Sequence, residues 1–219
     1  MKRPGTIITV PATNWKIMTD AILCSGCIIL FAYLVVFPFP TKAAAFIPLT
    51  IAASVISHRV STDSFYLLWQ DIFSAKMLVY YIIGFLMGTA GAMYYRGSFG
   101  MPVLPATVRS FAGVAVCIGV MEELVFRGFI QGQVSKLHPG FAIVFAAFAH
   151  TTYKVFLFLS PAAPEYHSIG LFYTWTFGAF ISIGLLRHYS KSIIPAIIVH
   201  AVFDLLVYAE NLQAPWWVW

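Results

Sequence analysis

The sequence has little charge. Only 10% of its 219 residues are Asp, Glu, Lys or Arg, whereas 60% are hydrophobic. A soluble globular protein carries about 25% charged and about 45–50% apolar residues. The deficit excludes an ordinary soluble domain and predicts a polytopic membrane protein. The apolar stretches are continuous runs rather than alternating segments of about ten residues, which excludes a transmembrane β-barrel.

Clusters of basic residues and of cysteines are also lacking. The net charge is +5, but the basic residues lie mostly near the ends of apolar runs. They therefore indicate membrane topology, and we expect no nucleic-acid partner. The pair Cys24-x-x-Cys27 lies in an apolar run with no other ligand nearby. We interpret it as small-residue helix packing rather than a redox or metal pair.

Seven apolar runs predict an all-α membrane bundle of about seven (six to eight) transmembrane helices in a single domain, residues 1–219. The runs cover residues 21–37, 43–56 (to about 60 if it spans), 76–95, 108–131, 139–159, 168–186 and 193–208. In the third run, Gly84-x-x-x-Gly88 permits close helix approach. Aromatic and polar residues predict an interfacial stretch at 61–74, a loop tip at 165–167 and an aromatic belt at 216–219.

The first run is interpreted as a membrane helix rather than a removed signal peptide, because no small-residue cleavage pattern follows it. Lys154 lies in the fifth run, one turn beyond His150, and we expect its side chain to extend to the interface. Counted by alternate loops, eight Lys and Arg residues lie on one side and four on the other. This asymmetry favours a cytoplasmic N-terminus.

Three ionisable residues, Glu122, Glu123 and Arg127, interrupt the apolar run at 111–130. A charged group at mid-bilayer costs roughly 2.5–3.5 kcal/mol on insertion scales. Glu123 and Arg127 are four residues apart with the acid first, which predicts an ion pair on one helix face. Glu122 points elsewhere and has no local countercharge. An unpaired carboxyl group inside a membrane is a candidate functional residue.

Two later helices carry further ionisable residues, His150 on one and His200 with Asp204 on the other. His200 and Asp204 are four apart and share a face. Because these side chains avoid lipid only by meeting inside the bundle, we expect Glu122, His150 and His200 to converge there.

Such a cluster is compatible with several functions. A carboxylate with imidazoles can activate water and stabilise an oxyanion, which is peptide hydrolysis. Glu122, His150 and His200 could instead hold zinc and leave one position open. A proton-coupled carrier or a membrane scaffold is a third reading, although the broken helices or paired repeats of carriers are not evident.

The order of these motifs resembles a known family. Glu122-Glu123-x-x-x-Arg127, a His on the next helix, and His200-x-x-x-Asp204 are similar to the CPBP family of CAAX-prenyl-protease-type and bacteriocin-processing intramembrane endopeptidases. The resemblance covers a catalytic core at about 108–208. Two positions depart from the family pattern. Ala146 stands where the second motif usually has Phe, and Asp204 where the last motif often has Asn.

The resemblance implies a site inside the membrane with no metal or other cofactor. Glu122 would be the general base, His150 would hold the nucleophilic water, and His200 with Asp204 would face the oxyanion. Glu123 and Arg127 would support the site. An ionised Asp204 has no donor and would repel an oxyanion. It is therefore either protonated or accepts from His200 and keeps that imidazole cationic, the reading we prefer.

The resulting expectation is an intramembrane endopeptidase that cleaves near the membrane surface. Its partners would be the lipid bilayer and a membrane-associated protein or peptide with a C-terminal sorting tag, a leader or a prenylated tail. The short loops suggest a prokaryotic member in the cytoplasmic (inner) membrane, so we favour a tag over a prenylated tail.

Overall fold

The computed structural model describes residues 13–60, 72–161 and 168–213, which form helices and no β-strand. The predicted all-α fold is confirmed. The loop tip at 165–167, the aromatic tail and most of the interfacial stretch lie outside the described residues. The helices are α1 (Asn14–Val35), α2 (Phe46–Arg59) after a 3-10 turn (Thr41–Ala45), α3 (Ala75–Ser98), α4 (Ser110–Glu123), a π-helical segment (Leu124–Ile130), α5 (Gln131–Val134), α6 (Pro139–Leu159), α7 (Ile169–Ser190) and α8 (Ile194–Val207).

The helices have the length and exposure of a membrane bundle. Among the described residues, five segments are long and apolar enough to cross a membrane: α1, Thr41–Arg59, α3, α6 and α7. The apolar helix α8 is shorter. Large apolar side chains lie exposed on the outer face of α3, including Leu78, Ile82 and Phe85. Because exposed apolar surface of this extent is stable in lipid and not in water, the chain is an integral membrane protein.

Several predicted helix limits are wrong; for example, α7 ends at Ser190 rather than at residue 186. Helix α1 begins at Asn14 rather than at residue 21, because the Thr13 side chain caps it by accepting from the Lys16 backbone N–H at 3.4 Å. The span predicted at 108–131 is divided by the π-helical segment. A π turn is wider than an α turn, so the residues that follow it face a different direction than α-helical spacing predicts.

Helices α3 and α8 pack closely because two glycines face the α8 backbone. A Cβ atom added at Gly84 would lie 2.8 Å from the Pro195 carbonyl oxygen, and one added at Gly88 would overlap the Val199 carbonyl oxygen. The predicted role of the Gly84-x-x-x-Gly88 motif is therefore confirmed. This contact sets the position of α8, the helix that carries His200 and Asp204.

An apolar core lies between α1, the π-helical segment and α6. Phe126, Phe129, Ile130 and Leu157 are buried there with Cys24. Cys24 and Cys27 are free thiols, and Cys27 packs against the same cluster. The small-residue packing predicted for this pair is confirmed.

The ends of α3 and α8 are joined by the buried guanidinium of Arg96. It donates to the Pro102 and Leu206 carbonyl oxygens at 2.7 and 3.0 Å and to Glu210 Oε2 at 2.8 Å. The hydrogen bond from Arg96 holds the pKa of the Glu210 carboxyl below its usual range. These bonds anchor the end of α8, and Glu210 after it, to α3.

We expect Gly88→Ala to destabilise the bundle by about 1–3 kcal/mol, because the added methyl group would push α3 away from α8. The measurement is the unfolding midpoint of the purified protein in detergent. Gly97→Ala on the same helix is the matched control, since a Cβ there meets nothing within 4 Å. Equal midpoints for the two variants would contradict the close contact.

Candidate active site

Glu122 lies at the centre of a buried polar cluster near the C-terminal end of α4. Its Oε2 accepts from His150 Nε2 at 3.0 Å and lies 3.6 Å from His200 Nε2. Its Oε1 accepts from Lys154 Nζ at 2.5 Å and from the Tyr153 hydroxyl at 3.2 Å. The side chains of Glu122, His150 and His200 thus meet inside the bundle, as the sequence predicted. Their catalytic roles stay predictions.

Two expectations about charge are wrong. Glu122 does have a countercharge, and Lys154 does not extend away from the site. Lys154 follows His150 by four residues, so both side chains leave the same face of α6 and reach the same carboxylate. The Lys154 side chain is 17% exposed. Helical spacing places Lys154 and Tyr153 near His150 on α6, but it does not show that their side chains turn inward to Glu122.

The tautomer of His150 follows from its partners. Arg127 Nη1 lies 2.8 Å from His150 Nδ1. Because a guanidinium can only donate, Nδ1 must accept and Nε2 carries the proton that is donated to Glu122. The imidazole is stacked between two phenyl rings, Phe126 at 4.1 Å and Phe180 at 3.7 Å between centroids. The ring of His150 is therefore fixed in one plane and one tautomer.

Neither stacking ring comes from the position that the second family motif occupies. Ala146, four residues before His150, is buried in the core. Phe126 belongs to the π-helical segment and Phe180 to α7. Sequence reasoning did not find these two residues, because no spacing rule relates them to His150.

The predicted pairing of Glu123 with Arg127 is present but long. Arg127 Nε lies 3.7 Å from Glu123 Oε2, within ion-pair range but beyond hydrogen-bond distance. The π-helical segment turns Arg127 toward α6 and α7 instead, where Nη1 reaches His150 and Nη2 donates to the Phe180 carbonyl at 3.2 Å. Glu123 Oε1 meets His200 Nδ1 at 2.9 Å. Arg127 therefore contacts His150 and Glu123 contacts His200, so the ion pair links the two histidines.

His200 lies among three carboxylates. Besides the contact of Nδ1 with Glu123, its Nε2 is 3.6 Å from Glu122 Oε2 and 3.7 Å from Asp204 Oδ2. The Asp204 distance is that of an ion pair, longer than the hydrogen bond expected from the sequence. Asp204 and His200 approach α4 at Gly119, where an added Cβ would overlap Asp204 Oδ2 and lie 3.1 Å from the His200 ring. Gly119 is a further site residue that sequence reasoning missed.

Metal binding was an open alternative at these residues. In the part of the chain that the structure describes, no three His, Cys, Asp or Glu side chains have an arrangement that could hold a metal ion. The lone pair of His150 Nδ1 is also occupied by Arg127. His150 would therefore have only Nε2 to offer a metal ion, and zinc at Glu122, His150 and His200 stays an alternative that an experiment must decide.

Helices and site together define a polytopic membrane protein with an ionisable cluster inside its bundle. Residues 104–206 match the family described as Type II CAAX prenyl endopeptidase Rce1-like. This match confirms the resemblance drawn from the motifs: the segment is similar to a CAAX-type endopeptidase family. No curated protein and no solved structure gives a significant match.

We expect Gly119→Ala to lower both stability and activity, because its methyl group would separate Asp204 and His200 from α4. Overpacking of this kind costs about 1–3 kcal/mol. Gly113→Ala in the same helix is the matched control, since a Cβ there meets nothing within 4 Å and alanine favours helix by about 1 kcal/mol over glycine. Unfolding midpoints of both variants check this, and a harmless Gly119→Ala would refute the tight fit.

Proposed function

We propose that this protein is an intramembrane endopeptidase in which Glu122 activates a water molecule to hydrolyse a peptide bond near the membrane surface. The substrate would be a membrane-associated protein or peptide that loses a tag or tail. One observation carries the proposal: Glu122 Oε2 faces the Nε2 atoms of two imidazoles, at 3.0 and 3.6 Å, inside an apolar bundle. The family match of the surrounding segment to CAAX-type peptidases supports it.

The two oxygens of Glu122 would have different tasks. Oε1 is held by Lys154 and Tyr153, which leaves Oε2 as the oxygen that takes a proton from water. The resulting hydroxide attacks the carbonyl carbon and forms a tetrahedral oxyanion. Glu122 then returns the proton to the leaving nitrogen as the carbon–nitrogen bond breaks. His150, held by Arg127 and two phenyl rings, positions the water and carboxylate.

His200 with Asp204 would stabilise the oxyanion. The three carboxylates around His200 favour the cationic form of its imidazole, which is the form that we preferred from the sequence. A cationic donor forms a stronger hydrogen bond to an oxyanion than a neutral one does. In this role Asp204 acts through its charge on His200 and does not touch the substrate.

We infer a prokaryotic cytoplasmic membrane as the location and a C-terminal tag or a leader as the substrate feature. The family description names CAAX prenyl substrates for its members, so a prenylated tail is a defined outcome of the same test. Mass spectrometry of protein termini, in host cells with and without this chain, would identify the truncated substrates. A farnesylated and an unmodified peptide of one sequence, incubated with the purified protein, would then distinguish the two classes.

Glu122→Gln should lower the cleavage rate by about 10²–10⁴-fold, the contribution of a positioned general base, while leaving the protein folded. The rate is measured on the peptide identified by its new terminus. Glu123→Gln is the matched comparison one residue away. It should slow cleavage less, because Glu123 contacts His200 rather than the proposed water site. Retained cleavage by Glu122→Gln would refute the general-base role, and loss of activity in chelator would favour the zinc alternative.

Asp204→Asn should lower the turnover rate by about tenfold or more with little change in KM, because the uncharged amide no longer supports a cationic His200. A tenfold loss corresponds to about 1.4 kcal/mol in the transition state. The unfolding midpoint serves as the control for folding. Near-normal turnover would show that position 204 acts through its shape alone.

A further inference from the structure

Among the described residues, Arg187 differs from the other buried arginines in having no anionic partner. It lies in the last turn of α7 and is only 7% exposed. Three other arginines in the described ranges are as deeply buried, and each has a carboxylate: Arg59 with Asp20 at 2.6 Å, Arg96 with Glu210 at 2.8 Å and Arg127 with Glu123 at 3.7 Å. Within those ranges no carboxylate pairs with Arg187, and no acceptor takes its Nε–H.

An unpartnered guanidinium is costly at this position. Its Nε is sealed from solvent, and a buried charge is tolerated when it is paired and hydrogen-bonded. The C-terminal end of α7 supplies some negative potential, but none of its carbonyl groups accepts from the guanidinium among the hydrogen bonds of the described residues. An ionisable residue of this kind in a membrane helix is a candidate functional residue, and a guanidinium can bind an opposite charge.

The residues around Arg187 show where a ligand could reach its guanidinium. The guanidinium lies beside Gly132 of α5, where an added Cβ would be in ordinary van der Waals contact with Arg187 Nη2 at 3.5 Å. One turn nearer the catalytic cluster, Gly184 is closed in by Ile143 and Gln131, to which an added Cβ would lie 3.0 and 3.3 Å. A peptide in the catalytic site therefore cannot reach Arg187 along this path. We therefore expect a ligand of Arg187 to approach from the end of the bundle at which α7 ends, at Ser190.

Other features at this end are basic. Arg187, Lys136 and Lys16 belong to the side that the sequence predicts to carry the excess of basic residues. The pKa of Lys136, which follows α5, is lowered by burial and by the neighbouring Arg59. Basic pockets between helix ends on the cytoplasmic side are a recurrent way to bind lipid phosphate groups.

We propose that Arg187 binds a phosphate group, between α5 and α7, at the membrane surface. Because Nε is sealed, the guanidinium offers the N–H groups of its two Nη atoms to the phosphate oxygens, and no carboxylate of the described chain competes for them. The phosphate can belong to an anionic phospholipid or be free in solution. This site is separate from the catalytic cluster and does not depend on the proposed peptidase activity.

The test measures the unfolding midpoint of the whole protein in neutral detergent with added phosphatidylglycerol, phosphatidylcholine or inorganic phosphate. We expect phosphatidylglycerol to raise the midpoint of the wild type more than phosphatidylcholine does. Arg187→Met should lose this difference, and native mass spectrometry should show at least about tenfold fewer retained phosphatidylglycerol molecules. A rise with inorganic phosphate alone, lost in Arg187→Met, would identify free phosphate as the source.

Lys16→Met is the matched control, because Lys16 is an exposed basic residue on the same predicted side, and it should keep the phosphatidylglycerol effect. If Arg187→Met does not fold, Arg187→Lys tests the same point, since it keeps the charge but loses the paired donors and should bind more weakly. The proposal is overturned if Arg187 variants respond to phosphatidylglycerol like the wild type. It is equally overturned if neither lipid nor phosphate stabilises the wild type.

Discussion

The arrangement of the site depends on the need of Arg127 for acceptors inside an apolar bundle. Its guanidinium is completely buried, and its donors reach His150 on α6 and the Phe180 carbonyl on α7, with Glu123 of α4 nearby. Three elements are held together by one side chain that can only donate. The orientation of both histidines, and hence the chemistry open to Glu122, follows from this set of contacts.

The sequence predicted much of this architecture. Continuous apolar runs predicted the helices. The positions of Glu122, His150 and His200 within those runs predicted that the three side chains converge, because polar groups in a membrane bundle avoid lipid only in its interior. The errors have physical causes as well. The π-helical segment at Leu124–Ile130 changes the direction of Arg127, and α-helical periodicity does not contain that information.

Lys154 shows a different limit of sequence reasoning. A lysine near a helix end can extend to the interface or turn inward to a carboxylate, and the sequence supports both conformations. The choice depends on whether a partner on another helix lies within reach, which is a tertiary fact. Gly119 is similar: a glycine in an apolar run has no evident role until His200 and Asp204 of α8 are found against it.

The stacking of His150 between Phe126 and Phe180 has a stereochemical consequence. With both faces of the imidazole covered by phenyl rings, at 3.7 and 4.1 Å between centroids, the ring meets polar partners only through its edge, where Arg127 and Glu122 lie. A water molecule placed between Glu122 and this edge, as in the proposed reaction, would approach a substrate carbonyl from a single direction. In that case attack would occur on one face of the planar amide group, and the opposite face would not be used.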